Sequence, residues 1–409
     1  MRILCFSDEF PPAVTGGAAI VAYDFATALL KKGHEIFVIT ASQDRSRAGE
    51  SEIDGIKVFT FYSKYPVFLR HYFALRNPLL TAKIEKTIKN VKPDIVHAHN
   101  IHTHISYYSL KLAKKNGAKV FLTAHDTMLV SYDKVFFKQN SNNYKISALD
   151  NIKVAGKRYN PFRNIAIKYY LRYVDKVFAI SAVLKKFLAQ NGIESEVLYN
   201  GIDSNTWIKP PEDNIKEFKE EFGVADKRIV FFGGRLSGAK GGLQIIKAFA
   251  SILKTAQKKD IVLFIAGKEP SNENKIKKAV EKHGIEKNVI FSGWLSREEM
   301  KTAFFSSNVC VTPSIYFDPF NLFNVEAMAA GKPVVGTCFG GTPEIVIDNE
   351  TGYIVNPLND KLMADKILNL LEDKTKAETF GGNGRKRVEE NFSLSRQTDK
   401  LINYYIQEK

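Results

Sequence analysis

Residues 313–336 read PSIYFDPFNLFNVEAMAAGKPVVG, and residues 340–344 read GGTPE. Two carboxylates, Asp318 and Glu326, stand in this stretch with seven residues between them. The apolar run predicts a helix from near Asn321 to Gly331, with Asp318 in the preceding loop and Glu326 in the first turns. Free N–H groups at a helix start attract phosphate, and a helix carboxylate can bind both hydroxyls of a ribose. The stretch therefore predicts a site for a nucleotide-linked sugar.

A glycine-rich stretch at residues 233–242 reads GGRLSGAKGG, between an apolar strand and a helix. It lacks the Lys-Ser/Thr pair of a P-loop and the spacing of a dinucleotide-binding fingerprint. It does carry Arg235 and Lys240, five residues apart, which is a pair suited to a diphosphate. A solvated basic loop is the alternative interpretation.

These motifs resemble those of the retaining glycosyltransferases of family 4. That family has Glu-x7-Glu within Glu-Pro-Phe-Gly-Leu…Glu-Ala-Met-Ala-x-Gly-x-Pro-Val-Val, and a loop that reads Gly-Arg-Leu-x-x-x-Lys-Gly. The resemblance implies that Arg235 and Lys240 bind the donor diphosphate and neutralise the leaving group. It also implies that Glu326 binds the ribose. The match has two departures, because Asp318 stands where Glu is usual and Asn321 where Gly is usual.

The resemblance also assigns donor contacts to the segment that holds Phe320, Asn321 and Leu322. It gives Asp318 a catalytic position at a sugar hydroxyl. Because Asp is one methylene shorter than Glu, the contact is expected from further back or with a shifted loop, and the change either keeps the role or indicates a different donor sugar. Asn321 in place of Gly matters less if only its backbone N–H is used, although Asn adopts a positive φ less readily than Gly.

Three more positions are candidates for the site. Gly16 and Gly17 precede a helix after the first strand, where backbone N–H groups can approach a phosphate or sugar, although a simple strand-to-helix turn explains them as well. His125, in a Thr-x-His-Asp motif that the family shares, ends a strand and is predicted to reach the donor sugar near the reacting centre. Trp294 stands where relatives contact the nucleobase, but it is equally well read as a partly buried core residue.

Four histidines cluster at His97, His99, His102 and His104. No Cys or carboxylate cluster accompanies them, so we interpret them as structural or cleft-lining residues and predict no metal site. The chain also lacks the Asp-x-Asp motif of metal-dependent glycosyltransferases. The resemblance implies retaining transfer by same-face attack, with the departing phosphate taking the acceptor's proton, and such a reaction needs no dedicated base. The sequence thus predicts a metal-independent enzyme without a cofactor, whose donor is a UDP- or GDP-sugar.

Short β-branched and aromatic runs alternate with amphipathic helical segments, which is typical of parallel α/β sheets. The runs of the first half are Arg2–Ser7, Glu35–Thr40, Ile56–Phe61, Asp94–His97, Lys119–Thr123, Lys176–Ile180 and Glu196–Leu198. Those of the second half are Arg228–Phe232, Ile261–Ala266, Val289–Phe291, Val309–Thr312, Pro333–Gly336 and Gly352–Val355. We predict two Rossmann-like domains, the GT-B fold, facing each other across a cleft. Domain one is 1–199, domain two is 200–393, and a helix over 394–409 returns to domain one.

The 409-residue chain is 44% hydrophobic and 25% charged, which is ordinary for a globular protein. We read Cys5, Cys310 and Cys338 as buried free thiols of a reducing cytosol. No run approaches the 18–20 apolar residues that span a bilayer, and the first residues do not resemble a signal peptide. We therefore expect a cytoplasmic protein. The net charge of +15 fits an anionic partner.

Two segments, 63–76 and 159–172, mix aromatic with basic residues at helical spacing. They suit an anionic membrane surface, as on the inner face of the cell membrane, and ordinary packed helices suit the pattern equally. We predict a mobile insertion at the acceptor mouth between Val135 and Arg158. The predicted function is hexosyl transfer to a glycan or lipid-linked acceptor in cell-surface polysaccharide or glycolipid synthesis, with no nucleic-acid partner. The alternatives are an epimerase or phosphorylase of this fold and a polyanion-binding protein.

Overall fold

A computed structural model of the chain describes residues 1–12, 16–136, 143–234, 238–256, 260–267 and 273–407. The described residues form two α/β units, each around its own parallel sheet. The first unit takes its residues from 1–134, 141–201 and 394–409, and the second from 135–140 and 202–393. The predicted class, two Rossmann-like α/β sheets, is confirmed.

The first sheet has eight strands in the order β3-β4-β2-β1-β5-β6-β7-β8. Its strands are β1 Arg2–Ser7, β2 Glu35–Ser42, β3 Gly49–Ile53, β4 Ile56–Tyr62, β5 Ile95–His99, β6 Lys119–Ala124, β7 Lys176–Ala179 and β8 Glu196–Val197. All neighbours are parallel except β3 and β4, whose pairing brings Ile53 opposite Ile56.

The helices of this unit cover the sheet and end in the C-terminal helix. They are α1 Gly17–Lys31, α2 Arg70–Phe73, α3 Thr81–Val91, α4 Tyr108–Lys115, α5 Ala148–Ala155, α6 Arg163–Leu171, α7 Ala182–Gln190 and α16 Leu394–Gln407. Helix α16 packs beside α1, where Lys32 and Asp399 form a 2.6 Å ion pair. Its Tyr405 hydroxyl lies 2.6 Å from His97 Nδ1, so α16 is bound to the sheet by a buried polar contact as well as by packing.

The second sheet is entirely parallel, in the order β11-β10-β9-β12-β13-β14. Its strands are β9 Arg228–Gly233, β10 Ile261–Ala266, β11 Val289–Gly293, β12 Val309–Thr312, β13 Val334–Thr337 and β14 Gly352–Val355. Its helices are α8 Glu212–Glu221, α9 Gly242–Ala256, α10 Glu273–His283, α11 Arg297–Ser306, α12 Leu322–Ala329, α13 Thr342–Ile345, α14 Asp360–Glu372 and α15 Lys374–Asn391. Strands β10 and β12 are fully buried, and β10 is apolar throughout, as is typical of strands covered on both faces.

Each sheet has one point where the strand order reverses, between β1 and β5 in the first and between β9 and β12 in the second. Loops that leave two neighbouring strands in opposite directions open a crevice at their carboxyl ends, and ligands of such sheets bind there. The two crevices define where the candidate site residues must be sought in each unit.

Candidate functional site

The crevice of the second unit is formed by the loop after β9 and the loop after β12. The two loops are joined by a backbone hydrogen bond from Ile315 N to Ala239 O, 2.8 Å long. Gly241 makes this approach possible, because its φ is +80° and a Cβ there would lie 1.9 Å from Pro313 O. The backbone therefore requires glycine at residue 241, and the close approach of the two loops fixes the position of the Lys240 backbone.

Lys240 donates from Nζ to Asp318 Oδ2 over 2.6 Å, and the same Nζ lies 5.5 Å from the centre of the Tyr316 ring. The Asp318 side chain is 7% exposed and that of Lys240 is 26% exposed. Burial alone would lower the pKa of Lys240, but the charge of Asp318 and contacts with Tyr316 raise it above its ordinary value. Burial also raises the pKa of Tyr316, so a charged lysine stands beside a neutral phenol.

Asp318 is held by its backbone as well as its side chain. Gly341 N donates to Asp318 O over 2.8 Å, and Gly340, at φ +65°, leaves only 2.1 Å between a would-be Cβ and that same oxygen. The Gly-Gly pair of GGTPE thus lies directly against the loop that carries Asp318. The quoted motif of residues 313–344 is one packed assembly.

Helix α12 begins where the sequence predicts. Asn321 is its N-cap at φ −85°, and its side chain accepts from Phe323 N over 3.2 Å. The Asn in place of Gly is therefore compatible with the fold, since no positive φ is needed. Glu326 lies in the second turn and is partly exposed, and Leu322 is likewise partly exposed at the first position.

A buried polar network attaches α12 to its neighbours. Thr312 Oγ1 donates to Asn324 Oδ1 over 2.7 Å, and Asn324 Nδ2 donates to Thr342 Oγ1 over 3.2 Å. All three side chains are nearly inaccessible, which makes each hydrogen bond costly to lose. The network sets the position of the helix start relative to β12 and α13.

Two predicted donor contacts have different environments in the structure. Phe320 is buried and packs on the ring of Phe392 with centroids 5.7 Å apart, so its side chain belongs to the core of the unit. Trp294 is 71% exposed just after β11, so the alternative of a partly buried core tryptophan is wrong.

Cys338, predicted to be buried, is exposed because it follows β13 in the connection to Gly340.

The crevice of the first unit is organised by Asp8, which follows β1. Its carboxylate accepts from the backbone N–H groups of Thr103, His104 and Ile105 over 2.6–2.8 Å, and this ties the loop after β5 to β1. Burial raises the pKa of Asp8, while the charge of His104 and the three N–H groups act in the opposite direction. The sequence analysis did not identify Asp8 as a site residue. The one feature that could have indicated it is the position of an acidic residue directly after the first strand.

Gly16 and Gly17 start α1 in this unit. Gly16 is the N-cap at φ −154°, and a Cβ built there meets none of the described atoms within 4 Å. A φ of −154° is open to any residue, so the helix start does not need glycine for its backbone.

His97, His99 and His125 form a buried row across β5 and the end of β6. His99 Nδ1 lies 3.0 Å from His125 Nε2, and the His97 and His99 rings are in contact, with centroids 4.3 Å apart and planes tilted by 31°. His97 is bonded to Tyr405 and, through Nε2, to Thr123 Oγ1 over 2.8 Å. Burial lowers the pKa of all three, to about 3 for His99, so the row is neutral near pH 7.

The other two histidines of the cluster are used locally. His104 Nδ1 lies 3.1 Å from Ser63 Oγ, and His102 Nε2 lies 3.7 Å from Asp126 Oδ2. Over the described ranges, no three His, Cys, Asp or Glu side chains converge as a metal-binding group. No helix in the same ranges is long and apolar enough to span a membrane.

The structure therefore groups the predicted residues by unit. In the second unit Lys240 and Asp318 are in contact, and the helix with Asn321, Leu322 and Glu326 starts from the same loop. In the first unit His125 lies at the end of β6, and Gly16 and Gly17 follow β1. Arg235, predicted to bind the diphosphate, lies outside the described residues. The sequence analysis did not identify Tyr316, which contacts Lys240, as a site residue. The one feature that could have indicated it is an aromatic residue two positions before Asp318.

The chain is thus an α/β protein of two Rossmann-like units, and Lys240 and the start of α12 lie at the crevice of its second sheet. The model described as Glycosyltransferase Family 4 matches residues 15–206, and that described as Glycosyl transferases group 1 matches residues 213–387. The chain belongs to the family 4 glycosyltransferases and has the GT-B fold, which confirms the predicted family.

Individual relatives align with this chain over nearly its whole length. An uncharacterized glycosyltransferase of Methanocaldococcus jannaschii is 28% identical, covering 99% of this chain and 98% of that protein. The sucrose-phosphate synthase of Thermosynechococcus elongatus has a TM-score of 0.77 at 21% identity, covering 99% and 98% of the two chains. Anabaena HepE, solved in complex with UDP-glucose, has a TM-score of 0.70 at 20% identity over 99% and 100%.

Proposed function

We propose that this glycosyltransferase moves a hexosyl unit, with retention, from a UDP- or GDP-sugar to a glycan or lipid-linked acceptor. The observation that carries the proposal is the contact of Lys240 with Asp318 at the crevice of the second sheet, beside the start of α12. A charged lysine and free helix N–H groups suit a diphosphate. The solved complex of Anabaena HepE with UDP-glucose supports a donor of this class.

Each residue has a proposed role. Lys240 and Arg235 bind the diphosphate and stabilise its charge as the glycosidic bond breaks, which is why we infer that the reaction needs no metal. Glu326 binds the ribose hydroxyls, and Asp318 contacts a sugar hydroxyl. Trp294 contacts the base, and the backbone of Phe320, Asn321 and Leu322 contacts the phosphates.

The first domain, 1–199 with helix 394–409, takes the acceptor side in this proposal, and the second, 200–393, takes the donor. Gly16 and Gly17 approach the donor through backbone N–H groups. The proposal assigns His125 to the reacting sugar, and the contact of His125 with His99 orients its ring. The incoming hydroxyl attacks from the face that the phosphate leaves, and that phosphate accepts the hydroxyl's proton.

Purified variants test the donor site. A thermal-shift screen of UDP- and GDP-sugars should identify the donor, because a ligand that binds the folded state raises the unfolding temperature. Lys240→Ala and Glu326→Ala should each slow transfer at least tenfold, whereas Lys247→Ala, on the exposed face of α9, should not. Unchanged turnover in folded Lys240→Ala and Glu326→Ala proteins would refute the assignment.

We also propose that the first unit rests on an anionic membrane surface. Nine of the seventeen exposed large apolar side chains in the described residues lie in the two segments 63–76 and 145–172. The segments are in contact, since Asn160 Nδ2 lies 3.5 Å from His71 O. These nine, the apolar patch, are Val67, Phe68, Tyr72, Leu149, Ile152, Val154, Phe162, Ile165 and Tyr169. Residues 63–76 and 145–172 contain ten Lys or Arg and one acid, which complements anionic lipid.

Vesicle sedimentation tests this surface. The protein should sediment with phosphatidylglycerol vesicles at low salt and be released at high salt. The double change Phe162→Ser and Ile165→Ser should reduce binding, whereas Leu358→Ser, at an exposed position of the second unit, should not. No sedimentation of the unmodified protein at low salt would remove the membrane from the proposal.

A further inference from the structure

Helix α15 carries three glycines, Gly381, Gly382 and Gly384, within its 18 residues. Glycine inside a helix is destabilising relative to alanine, so glycines at these positions need a reason in the packing. Gly381 and Gly384 are buried, and Gly382 is exposed. The two buried glycines lie against the segment of α12, the helix that carries Glu326.

Gly381 lies against the backbone at the end of α12. A Cβ at residue 381 would lie 2.0 Å from Gly331 O and 2.8 Å from Gly331 C. A carbon and an oxygen atom in contact are about 3.3 Å apart, so alanine would force the two backbones apart by about 1 Å. Gly384 is less constrained, because a Cβ there would lie 3.1 Å from Cγ of the flexible Met328 side chain. A Cβ at residue 382 meets none of the described atoms within 4 Å.

Gly331 is part of the closed end of α12. Its N–H donates to Met328 O over 2.9 Å, and its φ of +68° is the left-handed conformation that commonly ends a helix. A displacement of Gly331 therefore moves the end of α12, while the buried hydrogen bonds of Asn324 hold the start. Glu326 lies between these two points. The helix should then tilt and carry the Glu326 carboxylate with it.

Helix α15 also supports the other segments of the motif at residues 313–344. Arg387 donates from Nε to Ile345 O over 2.9 Å and from Nη2 to Glu344 O over 2.8 Å, at the end of α13. The Arg387 guanidinium lies 5.6 Å from the centre of the Phe392 ring, and that ring packs on Phe320. The loop, α12 and α13 thus all contact α15 or the residue that follows it. Lys240 belongs to a different support, since the loop after β9 is joined to residues 313–315.

We propose that Gly381 is a positioning residue of the donor site. By allowing α15 to contact the backbone at Gly331, it sets the tilt of α12 and hence the place of Glu326. The inference rests on the proposed function, in which Glu326 binds the ribose and Lys240 binds the diphosphate. The donor site then has two parts: the nucleoside part depends on α15, and the diphosphate part depends on the loop after β9. A change at residue 381 affects recognition of the nucleoside and spares recognition of the diphosphate.

Gly381→Ala and Gly382→Ala are a matched pair for testing this. Both replace glycine by alanine in the same helix and gain the same helix propensity, but only the first places a Cβ against backbone. The ligands for calorimetry are pyrophosphate and UDP, or GDP if the unmodified protein binds it more tightly. Gly381→Ala should raise the Kd of the nucleoside diphosphate at least tenfold, because a shift of about 1 Å at a site is costly, and should change the Kd of pyrophosphate less than about twofold. Gly382→Ala should change neither.

The two ligands separate positioning from general damage to the fold. Equal nucleoside diphosphate affinity in the Gly381→Ala and Gly382→Ala proteins overturns the inference and leaves the donor site standing. An equal loss of affinity for both ligands in Gly381→Ala also overturns it, and so does a lack of pyrophosphate binding by the unmodified protein. If Gly381→Ala does not fold, Gly384→Leu, which presses on the Met328 side chain, replaces it with Gly382→Leu as the control and the same expected pattern. No binding of UDP or GDP by the unmodified protein refutes the donor-site assignment itself, and the inference with it.

Discussion

Changing Asp318 to Asn should separate donor binding from sugar transfer. In the structure the Asp318 carboxylate accepts directly from Lys240 Nζ over 2.6 Å. A donor diphosphate needs the same ammonium group, so the carboxylate and the diphosphate compete for it. Asp318→Asn keeps the size of the side chain and removes its charge, which leaves Lys240 available to the diphosphate.

The magnitude follows from burial. A hydrogen bond between charged groups contributes about 1.5–3 kcal/mol, and because Lys240 is 26% exposed, screening by water reduces this to about 1 kcal/mol. UDP should therefore bind Asp318→Asn about fivefold more tightly. Lys240→Ala should act in the opposite direction. It removes the diphosphate contact and weakens UDP binding at least tenfold, and it leaves a buried carboxylate unpaired at a cost of up to about 3 kcal/mol in stability.

Calorimetric titration with UDP and urea unfolding of both single variants and the double variant measure these effects. Lys247→Ala is the control for loss of one lysine charge in the same unit. Transfer by Asp318→Asn should fall despite the tighter UDP binding, since the proposed contact with the sugar hydroxyl is weakened. If UDP binds Asp318→Asn as weakly as it binds Lys240→Ala, the two residues act as one binding unit and the competition argument is wrong.

Two further predictions concern the scaffold. Burial lowers the pKa of His71 and His99 to about 3, below the ~6.5 of an unfolded chain, so their stabilisation is present above pH 6.5 and is lost as pH falls toward 3. Between pH 7.5 and 5.5 these two histidines should lower the free energy of unfolding by about 2.5 kcal/mol. The buried His97, His102 and His125 act in the same direction and Asp8 and Asp126 in the opposite one, and an unshifted urea midpoint would contradict the prediction. Gly241→Ala forces a Cβ against Pro313 O and should weaken UDP binding at least tenfold, whereas Gly238→Ala, where a Cβ meets nothing within 4 Å, is the matched control; equal binding by both would refute the requirement for glycine.

Most of the fold could be predicted because buried parallel strands are continuous apolar runs. Four of the thirteen predicted strands, among them Ile261–Ala266, have the observed bounds, and the others differ by one or two residues at one or both ends. Strand β3 was missed, since four of its five residues are exposed and carry no apolar pattern. The Asp54-Gly55 turn, with φ of 49° and 81°, was the available signal for this hairpin.

The candidate site was predictable only where chemistry coincides with a sequence motif. Lys240 and Asp318 were both recognised, yet their contact was not, because residues 78 positions apart in sequence have no pattern that pairs them. Asp8, which follows β1, accepts hydrogen bonds from the loop after β5, and such a relation appears only once strand order is known. The row of histidines shows the same limit. Their alternation was visible, but the contact of His99 with His125 depends on the pairing of β5 with β6.

The departure from the family motif at Asp318 has a physical account in the structure. A carboxylate one methylene shorter was expected to reach a sugar hydroxyl from further back. The structure places it against Lys240, with its backbone held by Gly340 and Gly341 so that the loop cannot advance. Because the loop is fixed, the longer side chain of Asp318→Glu would either clash with Lys240 or place its carboxylate beyond the Lys240 ammonium group. The shorter acid and the lysine are therefore matched to each other, and a change at either position should be judged with the other in place.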